Sequence, residues 1–186
     1  MAIPLRKPNE IDKLRIANIA VAKTLNYLKT TVKAGMTLKQ VDEMGEKFLR
    51  DLGARPSFKG LYGFPAAICT SLNEVIIHGI PTDVVLKEGD ILGIDIGSEI
   101  DGWYGDSAIT MPIGKISKED EALIACAKDS LYYAIDVIKE GMRFKELSKL
   151  IEDFITSRGY QPLVRFCGHG IGKKPHEEPE IPNYLE

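Results

Sequence analysis

Near the N-terminus, apolar side chains recur in alternating steps of three and four: Ile11, Leu14, Val21, Leu25, Leu28 and Val32, with Asn18 at the one step that interrupts the series. That period places them on one stripe of an α-helix, predicted over 9–32 and ended by Gly35. A second helix is predicted from Thr37, where Thr37 and Gln40 have the spacing of a capping box. It would bury Leu38, Val41, Met44, Phe48 and Leu52 and stop at Gly53. After a loop with Pro56, Gly60, Gly63 and Pro65 the pattern predicts a strand over 66–71 and another over 74–78, the latter running into His78-Gly79-Ile80-Pro81.

The alternation then shortens to a period of two. In the stretch 91–113, Leu92, Ile94, Ile96 and Ile100 share one face of a strand, and Gly93, Asp95 and Gly97 share the other. Asp101-Gly102 tolerates the positive φ angles of a two-residue hairpin turn. With those two as the loop, Ile100 pairs with Trp103, Glu99 with Tyr104 and Gly97 with Asp106, so Asp95 and Asp106 become diagonal neighbours on one face. Two readings of this stretch stand side by side. Its polar face is solvated and the acids are unrelated, or the acids are sheltered and repel. Sheltered, one would keep a proton unless a divalent cation holds both ionised.

The helical pattern then returns. Ser117 opens a helix with Leu123, Ala127, Leu131, Ala134 and Ile138, ended by Gly141, and another carries Phe144, Leu147, Leu150, Ile151 and Phe154 up to Gly159. Shifted by 106 positions, Gly35, Met36, Lys39, Glu46, Phe48 and Gly53 meet Gly141, Met142, Lys145, Glu152, Phe154 and Gly159. A predicted strand over 163–167 leads into His169-Gly170-Ile171, an echo of His78-Gly79-Ile80. The order helix, helix, strand, His-Gly-Ile, hairpin reads as an internal duplication. The halves are about 9–113 and 117–186 of a single catalytic-type domain, 1–186. The second half reaches Glu186, around which there is no motif, before a second hairpin can form, so the chain is expected to be cut short. The residues alone favour His169, set in a glycine-rich bend, over His176, set in a Pro-rich loop, as a ligand.

Composition narrows the class. A net charge of −3 without a basic stripe offers no general attraction to nucleic acid or anionic membrane. The apolar runs are too short to span a bilayer, and the N-terminal residues lack the apolar core of a secretory signal. Cys69, Cys126 and Cys167, an odd number with no CxxC pair, suit reduced thiols in the cytoplasm.

The segment TSLNEVIIHGIP, the Asp95–Asp106 hairpin and HGIGKKPHEEP, in that order along the chain, resemble type I methionine aminopeptidases over nearly the whole chain. The resemblance implies an α/β fold of the α+β type: the pseudo-twofold pita-bread arrangement of creatinases and aminopeptidases, incomplete here in its second half. It implies a cytoplasmic enzyme that removes N-terminal methionine from new polypeptides near the ribosome, monomeric as a full protein, with no nucleic-acid or membrane partner. It implies two divalent metal ions (Co, Mn, Fe or Zn), with Asp95 chelating one, Asp106 bridging both and His169 ligating the second. Two later glutamates of the family pattern have no counterpart in this sequence, so the site is expected to be incomplete and the chain's activity impaired. His78 corresponds to a residue that contacts substrate and donates a proton, and His176 to one that binds the scissile carbonyl. Phe64 and Cys69 correspond to walls of the methionine pocket, and Pro175 departs from an often aromatic position. Two alternatives share the pattern: a proline-specific peptidase on the same fold, and a non-catalytic peptide-binding relic of it.

Overall fold

The computed structural model describes residues 3–185, so Glu186 lies outside the described residues. The chain divides into two compact units. One comprises Pro4–Ser117 and Ile171–His176, the other Lys118–Gly170 and residues 177–185.

The first unit contains α1 (Pro8–Thr31), α2 (Leu38–Asp51), β1 (Arg55–Pro56), a 3-10 turn at Leu61–Gly63, β2 (Ile68–Leu72), β3 (Ile91–Ile100) and β4 (Trp103–Pro112). β3 is the central strand: β4 pairs along its whole length, while β1 and β2 follow one another on its other edge, all antiparallel. Leu92, Ile94 and Ile96 are wholly buried in one cluster with Val21, Leu25 and Leu28 of α1 and Val41 and Leu49 of α2. The two-residue alternation predicted for β3 thus separates an apolar, helix-covered face from the face that carries Asp95.

α1 sits unusually close to the hairpin at one place. Ser98 Oγ donates to the carbonyl of Ala17 at 2.9 Å. Opposite Ser98 is Gly105, where a Cβ would come within 2.7 to 2.9 Å of the backbone of Ala17 and Asn18. Asn18 itself donates from Nδ2 to the Leu14 carbonyl at 2.9 Å and accepts the Asp106 N–H at 3.4 Å. The polar interruption in the α1 stripe is therefore turned toward the hairpin. The stripe's N-terminal end is different: Ile11 is 45% exposed, and the buried face runs through Ala17, Ala20, Val21, Thr24, Leu25 and Leu28.

Two predicted strands are absent. Residues 74–78 form an irregular loop because Asn73 and His78 take left-handed backbone angles, φ 51° and 56°, which an extended strand cannot contain. The edge of β2 is met instead by Gly79, whose carbonyl accepts the Thr70 N–H at 2.8 Å. Residues 163–167 are also irregular. Strand pairing begins at β5 (Gly168–Gly170), which finds its partner in β6 (Glu177–Ile181), a strand that the Pro-rich composition concealed.

The second unit holds β5, β6, α3 (Lys118–Val137) and α4 (Phe144–Thr156). Features of α1 and α2 recur in it at the 106-residue shift. Tyr27 stacks on Phe48 with ring centroids 4.3 Å apart, and Tyr133 on Phe154 at 4.7 Å. The N–H of Thr37 donates to Gln40 Oε1 at 2.8 Å, and that of Arg143 to Glu146 Oε2 at 3.4 Å. One contrast separates the helices. On α3 only Cys126 is buried among the described residues; Leu123, Leu131 and, one residue past its end, Ile138 are exposed, whereas Ala17, Leu25 and Val32 at the equivalent positions are covered.

Gly105→Ala tests the close seat of α1. The added methyl has backbone on its far side, so it should cost about 1–3 kcal/mol, read as a lower urea midpoint. An unchanged midpoint would show that α1 does not rest on this strand.

Candidate active site

The hairpin has the predicted register: Ile100 pairs with Trp103, Glu99 with Tyr104 and Gly97 with Asp106. Asp101 and Gly102 form its turn at φ 51° and 76°. Asp95 and Asp106 consequently share a face, and their carboxyls are hydrogen-bonded to each other. Burial pushes the Asp106 carboxyl up to about 6, and the hydrogen bond from Asp95 opposes that rise. Two carboxyls this close and this sheltered repel when both are ionised, which makes the pair a place where a divalent cation can be held. Gly97, opposite Asp106, leaves room for Ser57 and Phe58. A Cβ there would collide with Ser57 Oγ and the Phe58 ring, so the closest neighbour of Asp106 across the ladder can carry no side chain.

β2 supplies the next wall. Cys69 pairs with Asp95, so its thiol lies on the acid-bearing face. It is buried, and burial, followed by the charges of Asp95, Asp106 and Asp42, pushes the thiol up to about 12. Asp42, on α2, accepts the N–H groups of Ala67 and Ile68, each at 2.9 Å, which anchors the start of β2. Burial pushes the Asp42 carboxyl up, against those two hydrogen bonds. The sequence reading passed over Asp42, because an acid on an amphipathic helix looks solvated until the strand it grips is located. Asn18 had a visible signal, the polar step in an apolar stripe.

His176 stands by this face. Asp106 and His176 each offer a ligand atom, the two within 4.8 Å of one another. The Tyr62 ring stacks beside the His176 imidazole, centroids 6.3 Å apart, and Tyr62 holds a left-handed backbone, φ 48°. Phe64 is half-buried just after the 3-10 turn, where its carbonyl accepts the Gly60 N–H at 2.8 Å. His78 is exposed, and the adjoining Gly79 lies against β2: a Cβ at Gly79 would collide with the Thr70 carbonyl. Asp95, Asp106, Cys69, His176, Phe64 and His78 all belong to the first unit. His169 belongs to the second, half-buried on β5 opposite Glu180, with Nδ1 2.9 Å from the Gly170 carbonyl.

Comparison with known proteins places this arrangement. Residues 12–186 match metallopeptidase family M24. A methionine aminopeptidase of Helicobacter pylori is 60% identical over 186 residues, which cover all of this chain and 74% of the relative. The chain belongs to metallopeptidase family M24 and, within it, to the methionine aminopeptidases. The crystal structure of the methionine aminopeptidase from Rickettsia prowazekii superposes with a TM-score of 0.96 at 32% identity, covering 100% of this chain and 75% of that one. A prolidase from Pyrococcus furiosus shares the fold, with a TM-score of 0.86 at 22% identity over 98% of this chain and 53% of its own. The expected α/β pita-bread fold is thus that of this M24 chain. Among its described residues no helix is long and apolar enough to cross a membrane.

Two measurements probe the electrostatics of this M24 site. A thiol near 12 is scarcely ionised at neutral pH, so native Cys69 should resist alkylation at about pH 8 while the half-buried Cys167 reacts first. Mass mapping that found Cys69 modified before unfolding would contradict its placement. For Asp106 the sign follows from a folded value above that of an unfolded aspartate, about 4. Between about pH 4 and 6 the folded chain keeps a proton that the unfolded chain has lost. In metal-free buffer, its contribution to stability is therefore full below that window and falls as pH rises through it. Urea unfolding across this range should show a smaller decline in Asp106→Asn than in the parent; equal declines would contradict the shift.

Proposed function

We propose that this chain removes the N-terminal methionine from new polypeptides in the cytoplasm, with Asp95 and Asp106 holding two divalent metal ions and His169 completing the ligands available here. The observation that carries this reading is the adjacent carboxyl pair on the hairpin of a chain 60% identical to a methionine aminopeptidase. The donor set fits. Two carboxylates and one imidazole suit Mn, Fe, Co or Zn, and the sheltered carboxyl pair concentrates negative charge that a dication would neutralise. When bound, such ions supply Lewis acidity and a water acidic enough to attack near neutral pH.

The protein's own groups carry the rest of the chemistry. His176, next to Asp106, receives the scissile carbonyl with an imidazole N–H. His78 meets the peptide and returns a proton to the departing amine. Cys69 stays a neutral thiol at its raised value, so with Phe64 it offers an uncharged, polarisable wall suited to a thioether side chain. The ribosome-side setting and a monomeric full protein belong to this proposal. A proline-specific peptidase shares the fold at 22% identity, and the 60% relative favours methionine.

The decisive comparison is Asp106→Asn against the parent 186-residue chain. Mn²⁺ binding by calorimetry should weaken at least about tenfold, and methionine release from Met-Ala-Ser should fall to the uncatalysed rate. A variant that binds and cleaves like the parent would remove the hairpin from the mechanism. A parent that binds Mn²⁺ without any release would agree equally with the impaired activity expected of this chain and with the non-catalytic relic.

A further inference from the structure

The segment Ile171–His176 leaves the strands that flank it, β5 and β6, and packs with the hairpin unit instead. Part of what holds it lies away from the candidate site. The Tyr104 N–H donates to the Gly172 carbonyl at 2.9 Å, so the segment attaches to the outer edge of β4 near the hairpin turn. Gly172 is buried, and its own N–H donates to the Lys174 carbonyl at 3.2 Å, which bends the chain there. Lys173 then extends its ammonium over the Trp103 ring, 5.2 Å from the centroid. The guanidinium of Arg6, from the residues before α1, lies 5.4 Å from the same centroid.

Trp103 is only 3% exposed, yet two cations converge on it. Their mutual repulsion is offset by Glu10. Its carboxyl is held below the usual range chiefly by a backbone hydrogen bond at Lys7, which outweighs the opposing effect of burial, and more weakly by the charges of Arg6 and Lys173. Trp103 pairs with Ile100 and shares the face of Gly105, the side on which α1 packs; Asp106 is on the opposite face. The segment therefore straddles the strand. Lys173 is held on one side of β4, and His176 stands beside Asp106 on the other.

We infer that Trp103 is a positioning residue: with Arg6 and Lys173 it clamps the 171–176 segment across the edge of β4 so that His176 is kept at Asp106. The consequence for activity rests on the metal reading above; the clamp itself does not. An exposed cation–π contact is worth about 0.5–1 kcal/mol, a factor of about two to five in an equilibrium. Its loss should shift the segment between docked and undocked forms by that factor while the hairpin core stays intact.

Lys173→Met is the direct test, since it removes one cation from an exposed position and leaves the backbone attachment in place. In the parent chain, substoichiometric Mn²⁺ should broaden the His176 ring protons, and in Lys173→Met that broadening should fall. Amide exchange over 171–176 should quicken about two- to fivefold while exchange in β3 is unchanged. Trp103 is the only tryptophan of the sequence, so its emission should shift in the variant at an unaltered melting temperature. Unchanged exchange and unchanged broadening would overturn the clamp, as would exchange that quickens equally in β3, which signals general destabilisation. Failure of Mn²⁺ to broaden His176 in the parent would count against the metal reading alone, and local exchange would still decide the clamp.

Discussion

The site depends on one pairing in the ladder, Gly97 opposite Asp106. Because strand side chains alternate, a slip of one residue would send Asp106 to the α1 face and Trp103 to the acid face. The Asp101-Gly102 turn sets the register, and the buried row of Leu92, Ile94 and Ile96 enforces it, since a one-residue slip of β3 would expose three aliphatic side chains. The glycine on the pairing then matters sterically. A side chain at 97 would displace Ser57 and Phe58, which fill the space beside the strand opposite Asp106.

The apolar face of the hairpin is stiffened by contacts that do not resemble catalysis. Ser98 bonds to Ala17, Gly105 admits the α1 backbone, and Asn18 accepts the N–H of Asp106. Asp42 holds the start of β2, and so the register of Cys69 with Asp95, by two backbone N–H groups. Each contact acts on the backbone next to a functional side chain, which limits how far the two acids can relax apart despite their repulsion.

The second unit repeats the first in detail finer than helix patterning alone. An aromatic pair stacked between consecutive helices recurs at a shift of 106, together with the glycines that end those helices in left-handed conformation. The repeat departs on α3. The stripe that α1 buries on a sheet is largely exposed on α3 among the described residues.

Local chemistry determined the helices, the hairpin and its register, because each is set by spacing, caps and a two-residue turn within a few positions along the chain. The same signals carried Asp95 and Asp106 to a common face. What required the tertiary structure was every choice of partner distant in sequence. Residues 74–78 have the composition of a strand, but β2 occupies that edge of β3 and Gly79 meets β2, so the stretch remains a loop. β6 was hidden because its Pro-rich sequence pairs only where β5 is available. His176 looked the weaker ligand in its loop. Its nearness to Asp106 comes from a segment drawn across β4 by a tryptophan more than seventy residues earlier in the chain, a contact no local pattern encodes.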